Sequence, residues 1–200
     1  MFVTCLDLEG VLVPEIWIEF AQKTGISEFT RTTRDEPDYS KLMKFRIDLL
    51  KQQGLGLKEI QEVIAKIDPL EGAKDFLDEL RTLTQVIILS DTFTQFALPL
   101  MKKLGLPTIF CNELVVSPNG TITDFKLRQE NGKFHAVKAL QSIGFETIAS
   151  GDSFNDLAMI KQAEHGFLFR STPKIISDNP NIQAFTQYSE LLTEIKKIVY

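Results

Sequence analysis

Asp7 closes one short apolar run, in Cys5-Leu6-Asp7-Leu8-Glu9-Gly10-Val11, and Asp152 closes another, in Ile148-Ala149-Ser150-Gly151-Asp152. A third run, Val86-Ile87-Ile88-Leu89, ends in Ser90-Asp91-Thr92. A carboxylate can attack phosphorus and form an aspartyl-phosphate, which divides one hard displacement into two easier ones. The rest of phosphoryl transfer is positioning and neutralisation of charge, so a divalent cation and a basic side chain are expected nearby. Mg2+ takes oxygen ligands, commonly one or two carboxylates, and Asp7 and Asp152 can supply them. Glu9 lies two residues beyond Asp7, on the same side of an extended chain. It can protonate a leaving alkoxide and later take a proton from an incoming water or alcohol. Ser90 can hydrogen-bond phosphate oxygens, together with the amides that open the helix after it. Lys133 follows Asn131-Gly132 at a helix start and is a candidate cation. Each signal alone has a plainer reading: Ser90, Asn155 and Asp156 as helix caps, Lys133 as a solvated lysine.

Three strands must carry these groups to one place. Ligands of a parallel α/β sheet bind in the crevice beyond the carboxyl ends of its strands. The apolar runs at 1–8, 85–89, 108–111, 147–150 and 166–169 read as such strands, separated by helical patterns at 73–83, 93–104, 135–142 and 156–163. Pro99 either interrupts or initiates the helix at 93–104. Segments 113–116 and 121–127 flank Ser117-Pro118-Asn119-Gly120, whose Asn-Gly pair signals a hairpin. A last helix is expected at 188–199. Between the first two strands the pattern is helical only, at 16–23, from the Pro37-Asp38 turn through Leu42, Phe45, Leu49 and Leu50, and at 57–67. That stretch is too long for a simple crossover. The expected organisation is a core of residues 1–14 and 71–200 with a helical cap inserted at 15–70.

Two hundred residues suit one such core with its insertion. A net charge of -5 and the lack of any basic run exclude a nucleic-acid surface. No apolar stretch reaches the roughly 20 residues that span a bilayer. The N-terminus has no basic region ahead of its apolar run, so a signal peptide is not expected and a cytoplasmic location is. Cys5 and Cys111 sit among apolar residues and read as buried free thiols.

Taken in order, Asp7-Leu8-Glu9-Gly10-Val11, Ser90, Lys133 and Gly151-Asp152-Ser153-Phe154-Asn155-Asp156 resemble the four motifs of the haloacid dehalogenase superfamily. The resemblance spans nearly the whole chain and is narrowest to the phosphoserine phosphatases. The stretches from Cys5 to Ile18 and from Val86 to Phe93 point to a branch that also transfers the phosphoryl group to homoserine. The resemblance implies a Rossmann-like α/β core with a mostly parallel sheet, a small helical cap, and Mg2+ as cofactor. It implies Asp7 as nucleophile, Glu9 as acid and base, and Asp7, Glu9 and Asp152 as metal ligands, Glu9 through its carbonyl. Ser90 and Lys133 match the phosphate-binding pair, with Asp91 and Asn155 beside them and Asp156 in support. Glu15 matches the residue that meets a substrate ammonium, and Arg46 the one that meets its carboxylate. The implied substrates are O-phospho-L-serine and, as acceptor, L-homoserine.

A zwitterionic amino acid does need one anion and one cation, and the planar fork of arginine suits carboxylate. Read without the family, Arg46 in Lys44-Phe45-Arg46 is a solvated helix residue, and Trp17 and Phe20 pack the cap. Lys126 and Arg128 in the hairpin are further candidates for substrate contact. Glu9 stands where most family phosphatases carry Asp. The extra methylene moves its carboxyl by about one bond length, which leaves room for an alcohol acceptor. The spacing from Lys133 to Asp152 is short, so Lys138 is a second candidate for the cationic role. Two other readings stay open: a phosphatase for a different small phosphomonoester, and a non-catalytic binding module on the same fold.

Overall fold

β1 (Phe2–Leu6) is buried on both faces, with Val3, Thr4, Cys5 and Leu6 all withdrawn from solvent. That explains why it reads as an unbroken apolar run instead of an alternating one. In the computed structural model, which describes residues 1–200 apart from Arg34 and Pro37, it lies at the centre of a seven-stranded sheet. The other strands are β2 (Gln85–Phe93), β3 (Thr108–Val116), β4 (Ile122–Lys126), β5 (Glu146–Gly151), β6 (His165–Phe169) and β7 (Gln183–Phe185). Their order is β4-β3-β2-β1-β5-β6-β7, and all pairs are parallel except β3 with β4. After β1 the chain builds outward through β2, β3 and β4, then crosses back to lay β5 on the other side of β1. The crevice at that reversal, beyond the ends of β1, β2 and β5, is where this topology places a ligand.

Three helices, α1 (Ile16–Thr24), α2 (Tyr39–Gln52) and α3 (Leu57–Ile64), and a 3-10 turn at Ser27–Thr30 separate β1 from α4 (Ala73–Leu83). Asp38 caps α2 by accepting the Lys41 amide at 3.1 Å. The Pro37 half of the expected Pro37-Asp38 turn lies outside the described residues. The remaining helices are α5 (Thr94–Lys103), α6 (Gly132–Ser142), α7 (Leu157–Gln162), α8 (Pro173–Asp178) and α9 (Tyr188–Val199). None of the helices, among the described residues, is long and apolar enough to cross a membrane.

The strand expected to stop at Leu89 continues to Phe93. Its pairing with β3 jumps from Leu89↔Phe110 to Phe93↔Asn112, so Ser90, Asp91 and Thr92 form a bulge inside the strand. A bulge re-aims side chains and leaves backbone groups outside the ladder, so its polar residues look like a loop in the sequence. The two short segments expected at 108–111 and 113–116 are one strand, β3. α5 neither breaks nor begins at Pro99; it starts at Thr94 and passes through it. Proline has no N–H for the carbonyl four residues earlier, and that carbonyl, Gln95 O, instead accepts Gln61 Nε2 of α3 at 2.9 Å. The same helical stretch meets the core again where Leu57 N donates to Gly120 O at 3.0 Å, and where Trp17 packs edge-on to Phe96 at 5.9 Å. α8 and β7 were not expected. Six and three residues are too few for a periodicity to show.

Candidate active site

Asp7 leaves the end of β1 with its amide bonded to Ser150 O of β5 at 3.0 Å, which fixes its direction into the crevice. Lys133 reaches the same point from the first turn of α6. Its Nζ lies 2.8 Å from Asp7 Oδ1, 2.6 Å from Asp156 Oδ1 and 3.9 Å from Asp91 Oδ2. The turn before it is set by Asn131, which sits in the left-handed region at φ 49°. Burial alone would lower the lysine pKa, but Asp156, Asp7 and Asp91 more than offset that and hold it well above its ordinary value. The short spacing to Asp152 is thus no obstacle, since β5 brings Asp152 back beside β1. Lys138 is exposed and lies outside this cluster.

Asp7, Asp152 and Asp156 place one carboxyl oxygen each within 4.8 Å of one another, and all three residues are buried. The Asp156 carboxyl also accepts the amides of Asp152 and Ser153, both at 3.0 Å. Two glycines make room for this packing. A Cβ on Gly151 would meet Asp156 Cγ at 2.4 Å, and one on Gly10, at φ +78°, would meet Asp152 Cγ at 2.7 Å. Burial pushes the Asp7 pKa up, Asp156 and Asp152 push it further, and Lys133 pulls it back. Three buried carboxyl groups, two of them paired with one lysine, make an all-oxygen donor set with an excess of negative charge. Such a set suits a hard divalent cation.

The Glu9 carboxyl is not part of that triad. Its Oε2 accepts the Ile16 amide, at the start of α1, at 2.9 Å. Burial, then the nearby Glu15 charge, raises its pKa to about 8 against the opposing pull of the Ile16 amide, Arg46 and Lys133. Ser90 is buried in the β2 bulge, where its Oγ accepts the Thr92 amide at 3.2 Å. Asp91 Oδ2 accepts Asn155 Nδ2 at 2.7 Å. Ser90, Asp91, Asn155 and Lys133 therefore face one cavity of about 700 Å3.

The opposite wall of that cavity comes from the helical stretch: Glu15, Trp17, Tyr39 and Arg46. Arg46 is not a solvated helix residue. It is 6% exposed, its guanidinium lies 4.6 Å from the Trp17 ring, and Nη2 donates to Arg31 O at 2.8 Å. Burial lowers its pKa to about 10 although Tyr39, Glu9 and Glu15 act in the other direction. Its Nε is buried without a hydrogen-bond partner among the described residues. Trp17 packs on Phe20 and Phe29 as expected, and it also forms part of the cavity wall. Lys126 and Arg128 are not among the cavity-lining residues. Arg128 lies over the Phe110 ring and donates to Gly132 O at 3.2 Å. Tyr39 and Asn112 were not singled out in the sequence. Tyr39 Oη donates to Asp91 O at 2.7 Å and Asn112 Nδ2 donates to the same oxygen at 3.1 Å.

A profile of the haloacid dehalogenase-like hydrolases matches residues 5–164. Phosphoserine phosphatase ThrH of Pseudomonas aeruginosa is 48% identical over 197 residues, covering 98% of this chain and 96% of that protein. A phosphoserine phosphatase structure described as a phospho-aspartyl intermediate analogue aligns with a TM-score of 0.79 at 26% identity, over 99% of this chain and 98% of the other. A substrate-bound phosphoserine phosphatase complex aligns with the same TM-score at 27% identity and the same coverage.

Proposed function

Because the chain belongs to the haloacid dehalogenase-like hydrolases, we propose that it hydrolyses O-phospho-L-serine through an aspartyl-phosphate at Asp7. With L-homoserine in the site, the same phosphoryl group passes to the homoserine hydroxyl. The observation that carries this reading is the pairing, in one cavity, of a phosphoryl-transfer set around Asp7 with an opposite-charge pair, Glu15 and Arg46. The buried Arg46 Nε, which has no partner among the described residues, offers a carboxylate a donor.

The substrate phosphate lies against Lys133, Ser90 and Asn155, with its carboxylate on Arg46 and its ammonium on Glu15. An Asp7 carboxylate oxygen attacks phosphorus in line, and the bond from phosphorus to the seryl oxygen breaks. Glu9 gives its proton to that oxygen, and serine leaves. Water or the homoserine hydroxyl then attacks the aspartyl-phosphate, and Glu9 takes back a proton as Asp7 is released. The raised Glu9 pKa keeps the proton available for the first step. Bound at Asp7, Asp152 and Asp156, Mg2+ would supply neutralisation of the charge that develops on the phosphoryl oxygens. We assign residues 15–70 as a cap whose α1–α3 wall excludes bulk water during transfer.

The test is phosphate release from O-phospho-L-serine with Mg2+, comparing wild type with Asp7→Asn, and repeated with homoserine to separate free phosphate from phosphohomoserine. Equal rates in both proteins would overturn the nucleophile. A second reading, a larger phosphomonoester, draws on the cavity volume of about 700 Å3, which lies within the roughly 300–1,000 Å3 usual for sites of drug-sized ligands. Arg46→Ala separates the two: it raises KM for amino-acid substrates and leaves KM for a carboxylate-free ester unchanged.

A further inference from the structure

The Asp91 carbonyl belongs to the β2 bulge and so lies outside the ladder between Leu89 and Phe93. It is bonded instead by two side chains from different parts of the chain. Asn112 Nδ2 reaches it from β3 at 3.1 Å, and Tyr39 Oη reaches it from the first residue of α2 at 2.7 Å. We propose that Tyr39 is a positioning residue, which sets the phosphate-binding bulge by holding the Asp91 carbonyl while α2 is seated on the core.

The bulge carries every β2 group that faces phosphate in the proposed reaction, and the inference rests on that reading. Ser90 Oγ is oriented by the Thr92 amide, the N–H of the same peptide group as the held carbonyl. The Asp91 carboxyl fixes Asn155 at 2.7 Å and stands 3.9 Å from Lys133 Nζ. A shift of the Asp91 peptide therefore moves Ser90 and Asn155 and disturbs the charge around Lys133. Asn112 cannot swing to compensate, because its Oδ1 is engaged by the Arg128 amide at 3.0 Å. Tyr39 is itself held, with its ring edge-on to Phe125 of β4 at a centroid distance of 6.1 Å. It shares α2 with Arg46, seven residues on, so the helix that offers the carboxylate contact also completes the phosphate loop. An amino-acid phosphate that draws α2 down through Arg46 would thereby order the bulge that receives its other end.

Tyr39→Phe removes only the hydroxyl and keeps the ring against Phe125, and its melting temperature monitors folding. Binding of inorganic phosphate and, separately, of L-serine is measured by calorimetry with Mg2+ present. Phosphate affinity falls roughly five- to tenfold in the variant, the scale of one lost hydrogen bond to a site of this kind, and serine affinity is unchanged. Equal affinities for phosphate in both proteins overturn the inference. So does loss of serine affinity, alone or to the same extent, since that would place Tyr39 at the amino-acid end. A wild type that binds no phosphate overturns the phosphatase reading instead, and hydrogen exchange then decides. The Thr92 amide exchanges faster in Tyr39→Phe if the hydroxyl sets the bulge, and at the wild-type rate if it does not.

Discussion

Glu9 Oε2 accepts the amide of Ile16 at 2.9 Å, so the proposed proton-transfer residue also closes the amino end of α1. Glu15 occupies the N-cap position of that helix without making a side-chain cap bond. The task falls to the Glu9 carboxyl, six residues before Glu15 and projecting from the loop after β1. One side chain thus ties the reacting end of the sheet to the first helix of the insertion. The longer reach of Glu over Asp is what lets the carboxyl span that gap.

Glu9→Gln separates the two proton transfers. The amide oxygen of Gln still accepts the Ile16 N–H, so α1 keeps its cap. With phosphoserine, whose alkoxide must be protonated to leave, kcat falls by roughly 10²–10⁴-fold. With p-nitrophenyl phosphate the leaving group needs no proton, and the second step, which does need a base, becomes limiting. The measurement is a rapid-quench time course: one equivalent of nitrophenol per enzyme appears in a burst, followed by slow turnover. Turnover of this ester at the wild-type rate, with no slow phase, would remove Glu9 from the second step.

Lys133 balances Asp7 and Asp156 at 2.8 and 2.6 Å and is 5% exposed. Removing one member of a buried ion pair costs about 3–5 kcal/mol, because the remaining charges lose their partner. Lys133→Met is therefore strongly destabilised in chelator. Adding Mg2+ raises its melting temperature by more than it raises that of wild type, since the ion then serves as the main counter-charge for the carboxyl triad. Identical Mg2+ increments in the two proteins would contradict a shared electrostatic site.

Asp7, Ser90 and Asp152, to which we assign chemistry, stand out in the sequence because each follows an apolar run, and the sheet order brings those ends together. The bulge at Ser90–Thr92 was not legible: its polar residues read as a loop, and only the resumed pairing at Phe93↔Asn112 shows the strand continuing. Asp156 looked like a helix cap, and its burial beneath Gly151 depends on a backbone path that sequence does not state. Arg46 looked solvated for the same kind of reason. It stands beside Lys44 in the sequence although it shares its helix face with Leu42, Met43, Leu49 and Leu50, and the Trp17 ring that covers it comes from another helix. Tyr39 offered no local signal, because its partner lies 52 residues away.

Gly151→Ala tests the packing under the triad. The new methyl would lie 2.4–2.5 Å from Asp156 Cγ, Cβ and Oδ2, so the carboxyl must move away from the Asp152 and Ser153 amides. Overpacking of this kind costs about 1–3 kcal/mol, and activity falls along with stability. Gly132→Ala is the control. Its nearest neighbour is the flexible end of Arg128 at 3.1 Å, which can move aside. Urea unfolding midpoints and phosphate release are compared for the two variants; equal behaviour would show that Asp156 is not confined.

Glu164 is expected to contribute stability that depends on pH. Burial on its own would raise the Glu164 pKa, but hydrogen bonds from Thr147 Oγ1 at 2.6 Å, the Thr147 amide at 2.7 Å and Gln141 Nε2 at 3.0 Å outweigh it and lower the pKa from 4.5 to about 2. A carboxyl whose pKa is depressed on folding stabilises the protein above its unfolded value. That stabilisation is lost as pH falls from about 4.5 towards 2. Glu164→Gln keeps the acceptor oxygen but not the charge, so it is less stable than wild type at neutral pH. The gap narrows below the ordinary carboxyl range, where wild type loses the same charge by protonation. Urea midpoints at pH 7, 4 and 3 measure it: the two proteins converge towards pH 3, whereas a constant gap at all three values would mean that the charge on Glu164 contributes nothing to holding β5 against the start of β6.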